Sequence, residues 1–183
     1  MEPTLLWERL ARNLAVPPKV APTALLAPGV CLVGAVTVGE RSSLWPGVVA
    51  RADLNPIEIG AETNLQDGCI LHVADAYPLR IGDGVSCGHR VLLHACAIGA
   101  HVLVGMGACV MDGAVIGPET IIGAQSLVTK AMEVPPRSLV VGSPARVVRT
   151  LSSAEVESIY TLAQKYVDVA RYYRSNPPWP KAG

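Results

Sequence analysis

Residues 98–140 read IGAHVLVGMGACVMDGAVIGPETIIGAQSLVTKAMEVPPRSLV, and the spacing of their aliphatic side chains decides the fold. Stepping by six from Ile98 lands on Val104, Val110, Ile116, Ile122, Val128, Val134 and Val140. Gly99, Gly105, Gly117 and Gly123 directly follow four of the eight. A helix repeats its apolar residues every three or four positions, and a single strand every two. A period of six instead predicts short strands joined by turns, with one inward aliphatic per strand: a parallel β-helix solenoid. Glycine after the inward residue is expected where the backbone turns sharply.

The phase runs upstream through Leu93, Cys87 and Ile81, with one residue dropped between Leu93 and Ile98. Leu71, Leu65 and Ile59 continue it, then Ala50, Leu44 and Val38. The solenoid is expected over residues 20–150, between an N-terminal segment at 1–19 and a helix and tail at 151–183. Two insertions interrupt the count, Asp53–Pro56 and His72–Arg80. Segments that protrude from a regular solenoid are expected to carry function. Near the end, Ser152 and Glu155 form a capping-box pattern. Val156, Ile159, Ala163, Tyr166, Val167, Ala170 and Tyr173 then follow at helical spacing. They predict a helix over 153–174 packed along one face of the solenoid, ended by Asn176-Pro177-Pro178. Leu5, Leu6, Leu10 and Leu14 suggest a short helix over 4–14.

Composition narrows the function. Fifteen basic and fifteen acidic residues give zero formal net charge. No basic block stands ready for phosphates, so nucleic acid is not an expected partner. The uncharged runs 20–39 and 91–111 are long enough to span a bilayer, but their prolines, glycines and histidines argue against a membrane helix. Cys31, Cys69, Cys87, Cys96 and Cys109 form no CxxC pair, and Glu2 and Glu8 do not suit a secretory signal. Reduced thiols and a cytoplasmic location are expected.

The six-residue period resembles the hexapeptide repeat of left-handed β-helix proteins. That resemblance implies three hexapeptides per triangular coil, and it supplies the hand, which the period does not. On such a coil Arg51, His72 and His94 each follow the inward residue of the third face and form one column. Adjacent strands put its members about 4.8 Å apart. Asp67 and His89 form a second column after the second face, with Gln66 beside Asp67. His72 and His94 can therefore share a cation, while His89 points elsewhere. Solenoids packed around a threefold axis would bring His89 of a neighbour to that pair. Three neutral imidazoles and an open position make a catalytic zinc arrangement, which lowers the pKa of bound water to about 7. Asp67 is placed to fix His89, and Arg51 and Asp53 are placed to pair. His101, the cysteines, Met106 and Met111 read as packing residues.

Arg51-x-Asp53, Gln66-Asp67-Gly68, His72, the stretch IGDGVSCGHRVLLHACAIG with His89 and His94, VGMGACVMDGAVIG and VVGSPARVVR together resemble the γ-class carbonic anhydrase-like family. The likeness covers about residues 15–174. It implies a homotrimer with interfacial zinc (iron or cobalt in some members) that hydrates CO2 reversibly to bicarbonate through metal-bound hydroxide. By motif match His72, His89 and His94 would be ligands. Gln66 would bond the bound water or bicarbonate, Arg51 and Asp53 would pair across subunits, and Asp67 would support the interface. The sequence departs from the best-characterised pattern in two places. Leu54 stands where a Glu follows the Arg-x-Asp, and the loop VADAYPLR holds Asp75 as its one acid, the expected proton shuttle. Tyr166 matches the Tyr that approaches the site in the shorter subclass, where Asn is common at the positions of Gln164 and Lys165. Two rival readings stay open. One is a different reaction at the same metal, such as thioester hydrolysis or acyl transfer from acyl-CoA to a small acceptor; the other is a metal-binding assembly protein without turnover.

Overall fold

The computed structural model describes residues 3–179. Its strands stack as parallel rungs in an eleven-stranded and an eight-stranded sheet, closed by an antiparallel hairpin of Ser138–Gly142 and Ala145–Thr150. The six-residue count maps onto this architecture residue by residue. On the first face Val38, Ile59, Ile81, Ile98, Ile116 and Val134 are paired rung to rung. On the second, Leu44, Leu65, Cys87, Val104, Ile122 and Val140 are paired. On the third, Ala50, Leu71, Leu93, Val110 and Val128 are paired. All of these point inward, and all are buried in one core.

The glycines have a different role from the expected one. Gly39, Gly60, Gly82, Gly99 and Gly117 follow the inward residues of the first face, but none adopts positive φ. A Cβ at Gly82 would lie 2.7 Å from the Ala100 nitrogen, and one at Gly117 would lie 2.4 Å from the Pro136 nitrogen. Side chains are excluded there because successive coils approach too closely. The sharp turn falls two positions later, at Arg41, Glu62, His101, Glu119 and Arg137, whose φ values lie between 53 and 58°. Left-handed backbone costs roughly 1–2 kcal/mol per non-glycine residue. The stacking helps offset that cost: the Glu62 and His101 amides donate to carbonyls of the preceding coil at 2.8 Å.

The first insertion is also not a protruding loop. Val49–Ile59 is one continuous strand that rounds the corner from the third face to the first. It pairs with Cys31–Val38, and the register shifts between Gly34 and Val36 to absorb the extra residues. The second insertion is a loop, between strands Ile70–His72 and Leu79–Ile81.

Two helices flank the solenoid. Helix α1, Pro3–Leu14, docks against the corner made by Cys31–Val38 and Val49–Ile59. Helix α2, Ser153–Ser175, lies along the eight-stranded face, as its amphipathic spacing predicts. Val156 and Ile159 pack there on Leu103, Ile121 and Leu139, and Ala170, Tyr166 and Tyr173 pack around Leu25 and Trp45. No described helix is long and apolar enough to cross a membrane.

The predicted capping box is present, with Ser152 accepting from the Glu155 amide and Glu155 accepting from the Ser152 amide. Arg149 adds a two-pronged ion pair to Glu155 at 2.7 and 2.9 Å. Arg149 first and the Ser152 bonds second pull the Glu155 carboxyl down to about 2. A depressed carboxyl stabilises the fold above its unfolded value, ordinarily near 4.5, and that contribution disappears as pH falls through about 2. Glu155→Gln is therefore expected to remove part of the acid-dependent loss of helicity between those two pH values, as followed by circular dichroism.

Candidate functional site

Three predicted site residues line up in one column. Arg51 pairs with His72, and His72 with His94, on successive rungs of the third face. His72 Nδ1 faces His94 Nε2 at 3.1 Å. The outer nitrogens each meet a carboxylate: His72 Nε2 lies 3.1 Å from Asp53 Oδ1, and His94 Nδ1 lies 2.5 Å from Asp112 Oδ1.

These contacts set the tautomers. Burial raises the Asp53 carboxyl, but the bonds from His72 and Arg51 outweigh it and hold Asp53 below its ordinary value. Burial likewise opposes ionisation of Asp112, and the bond from His94 prevails. Ionised carboxylates only accept, so each outer nitrogen carries the proton. Burial in turn pushes the His72 pKa down despite Asp53, so this ring is neutral at pH 7. The Nδ1 lone pair of His72 therefore faces His94 Nε2 at 3.1 Å, a separation at which both nitrogens could bind one cation between them. Two imidazole nitrogens on one tetrahedral zinc stand about 3.3 Å apart, from bonds of roughly 2.0–2.1 Å. The donor pair therefore fits such a cation.

His89 stands apart from this pair. It lies in the turn between Ser86–Cys87 and Leu92–His94, at the corner of the second and third faces. Its Nδ1 is 3.0 Å from Asp67 Oδ2, in the equivalent turn one coil earlier. The second column is therefore formed, and the His89 side chain is left exposed. Among the described residues of one chain, no group of three or more His, Cys, Asp or Glu side chains is placed to hold a metal ion.

Gln66 is buried beside Asp67, and its Nε2 donates to Asn64 Oδ1 at 3.2 Å. Asn64 donates in turn to Ser86 Oγ at 2.7 Å. Gln66 and Asp67 line a cleft of about 340 Å³ with Trp45, Pro46, Tyr166, Val169, Tyr173 and Trp179. Tyr166 thus reaches the Asp67 side of the site, and burial followed by the Asp67 charge raises its pKa. Arg51 pairs with Asp53 of its own chain. Asp75 bonds none of the histidines; its carboxylate lies 3.6 Å from Arg9. His101 stacks on Tyr160 with ring centres 4.1 Å apart, a packing role.

Asp112 is the functional residue that the spacing did not reveal. Met111 occupies the next place in the histidine column, and the carboxylate comes from the neighbouring position. A lone acid one coil beyond His94 was the available signal.

The profile of the bacterial transferase hexapeptide (six repeats) matches residues 95–130. The sequence is 39% identical to a carbonic anhydrase of Geobacillus kaustophilus, covering 86% of this chain and 87% of that one. It is 45% identical to a probable carbonic anhydrase of Methanocaldococcus jannaschii, covering 82% and 94%. The chain belongs to the γ-class carbonic anhydrase-like family. The carnitine operon protein CaiE of Escherichia coli is 38% identical, covering 83% of this chain and 78% of that one. A crystal structure described as a putative acetyltransferase of Bacillus cereus superposes with TM-score 0.86 at 42% identity, over 87% and 93% of the two chains.

Replacing Asp112 tests the tautomer assignment directly. In metal-free Asp112→Ala the His94 ring is expected to move from the Nδ1–H form toward the Nε2–H form that free imidazole side chains favour. Long-range proton–nitrogen correlation spectra read this, and an unchanged tautomer would contradict the role given to Asp112.

Proposed function

We propose that the protein is a homotrimeric, metal-dependent enzyme of the cytoplasm that hydrates CO2 reversibly at sites shared between subunits. The observation that carries this is the His72–His94 pair, whose inner nitrogens face each other while carboxylates hold the outer ones. His72 and His94 of one chain would hold zinc (or iron or cobalt) together with His89 of the partner subunit. Such a cation acts as a Lewis acid and yields a nucleophile from water at neutral pH.

The outward residues support a second copy. On the first face the outward row is mixed, with Thr37, Glu58, Arg80 and Glu133 in solvent beside Ala97 and an exposed Val115. The second face is covered by α2, so a neighbour does not pack on the flat of it. The third face presents Cys31, Val49, Ile70, Leu92, Cys109 and Leu127 in one paired stripe, each exposed or half-buried. Ile70 and Leu92 are 41% and 36% exposed. An aliphatic stripe of this kind marks an association surface. It adjoins the corner bearing His89, so the subunit contact that covers it would also complete the ligand set.

The chain's own groups divide the remaining work. Gln66, held by Asn64, offers its amide to the reacting oxygen or to bicarbonate. Tyr166 closes the cleft from α2. Proton export falls to Asp75 or to buffer, and Asp75 is engaged by Arg9, so hydration is expected to speed up with buffer concentration.

A second reading rests on the cleft beside Gln66. Its aromatic walls, Trp45, Tyr166, Tyr173 and Trp179, enclose about 340 Å³, room for a substrate far bulkier than CO2. That favours thioester hydrolysis or acyl transfer at the same groups. The remaining alternative is a metal-binding assembly subunit without turnover.

Metal content, CO2 hydration and thioester hydrolysis measured on one zinc-loaded preparation separate these. One zinc per chain, stopped-flow hydration, and loss of both in His89→Ala by more than about 10-fold are expected. Metal with thioester cleavage but no hydration would transfer the assignment to the second reading, and metal with neither to the third. A monomer by light scattering would end the shared-site proposal.

A further inference from the structure

Helix α1 lies outside the hexapeptide count, and where it docks gives it a purpose. Two segments are inserted into the count, one carrying Asp53 and one following His72. Arg9 of α1 reaches both. Its Nε donates to the Leu54 carbonyl at 2.5 Å, and its Nη2 donates to the Asp75 carbonyl at 2.5 Å. Asn55 adds a parallel stitch, donating from Nδ2 to the Ala74 carbonyl at 2.6 Å. The Val49–Ile59 strand loses regular register at this point, so its carbonyls need donors from elsewhere. A guanidinium meets the need because its N–H groups form a rigid fork that can bridge two acceptors.

The approach is close. Gly34 sits beneath α1 with φ +75°, and a Cβ there would lie 2.4 Å from the Ala52 carbonyl oxygen and 3.2 Å from that of Asn13. Arg9 is mostly buried at this contact, with 19% of its side chain exposed. Leu54 is the immediate neighbour of Asp53, and Asp53 holds His72 Nε2 at 3.1 Å. A short chain of bonded groups therefore runs from α1 to the nitrogen that faces His94.

We propose that Arg9 is a positioning residue for the metal centre. By bridging the Leu54 and Asp75 carbonyls it fixes Asp53 against His72 and so aims His72 Nδ1 at the cation. The inference rests on the metal reading above. Arg9 touches no reacting group, so its effect belongs to ligand geometry.

The test is zinc affinity, by competition with a chelator, for the full-length protein and its variants at a temperature far below unfolding. Global stability then does not enter the measurement. Arg9→Ala is expected to weaken zinc binding about 10-fold, the lower end of what loss of outer support costs a metal site. Arg9→Lys keeps the charge and much of the stem packing but offers no fork. It is expected to weaken binding nearly as much, and it keeps the test available if the alanine variant folds poorly. Asn55→Ala is expected to show a smaller loss in the same direction. Wild-type affinity in Arg9→Lys would overturn the fork assignment, and wild-type affinity in both Arg9 variants would overturn the proposal entirely. Absence of stoichiometric zinc in the wild-type protein would instead sink the functional reading itself, and this inference with it.

Discussion

Everything in this molecule depends on the parallel pairing of one coil with the next. The solenoid has no core apart from the one its rungs build together: Leu44, Leu65, Cys87, Val104, Ile122 and Val140 touch because their backbones are paired in register. The same pairing decides which residues must be glycine and which corner residues accept left-handed backbone. A slip of one residue would turn every inward aliphatic outward. It would also separate the functional columns, since Arg51, His72 and His94 are aligned by the same ladder that aligns Ala50, Leu71 and Leu93.

Given that ladder, the outward residues divide the surface by chemistry. Four of the six outward residues of the first face, Thr37, Glu58, Arg80 and Glu133, are polar or charged. Leu103, Ile121 and Leu139 call for α2 on the second. The aliphatic stripe of the third is left for a second copy in the proposed assembly. In that assembly helix and subunit would use neighbouring faces, and the corner between those faces carries Asp67 and His89.

Departures from the period mark where the fold serves chemistry. The added residues after Ala52 bring Asp53 beside His72, and those after His72 form the loop that Arg9 and Asn55 hold. The dropped residue after Leu93 falls next to His94. Regular rungs supply the spacing of the imidazoles, and irregular ones supply the carboxylate and the clamp that orient one of them.

The sequence by itself determined the solenoid, its three inward rows, α2 with its cap, and both polar columns. Each of these follows from short-range periodicity, which the backbone converts directly into position. It could not reveal that Val49–Ile59 rounds a corner as one strand, because the count registers an excess of residues but not how the chain absorbs it. It did not reveal Asp112, whose bond to His94 depends on side-chain reach across coils rather than on column membership. The role of the glycines was misread for a similar reason: the space above a Cα belongs to the next coil, and local sequence does not describe it. Only the tertiary structure decided that α2 covers the second face, that Arg51 and Asp53 pair within one chain, and that α1 is fastened behind Asp53. Those outcomes rest on contacts between segments far apart in the chain, where physical distance is set by packing and not by spacing.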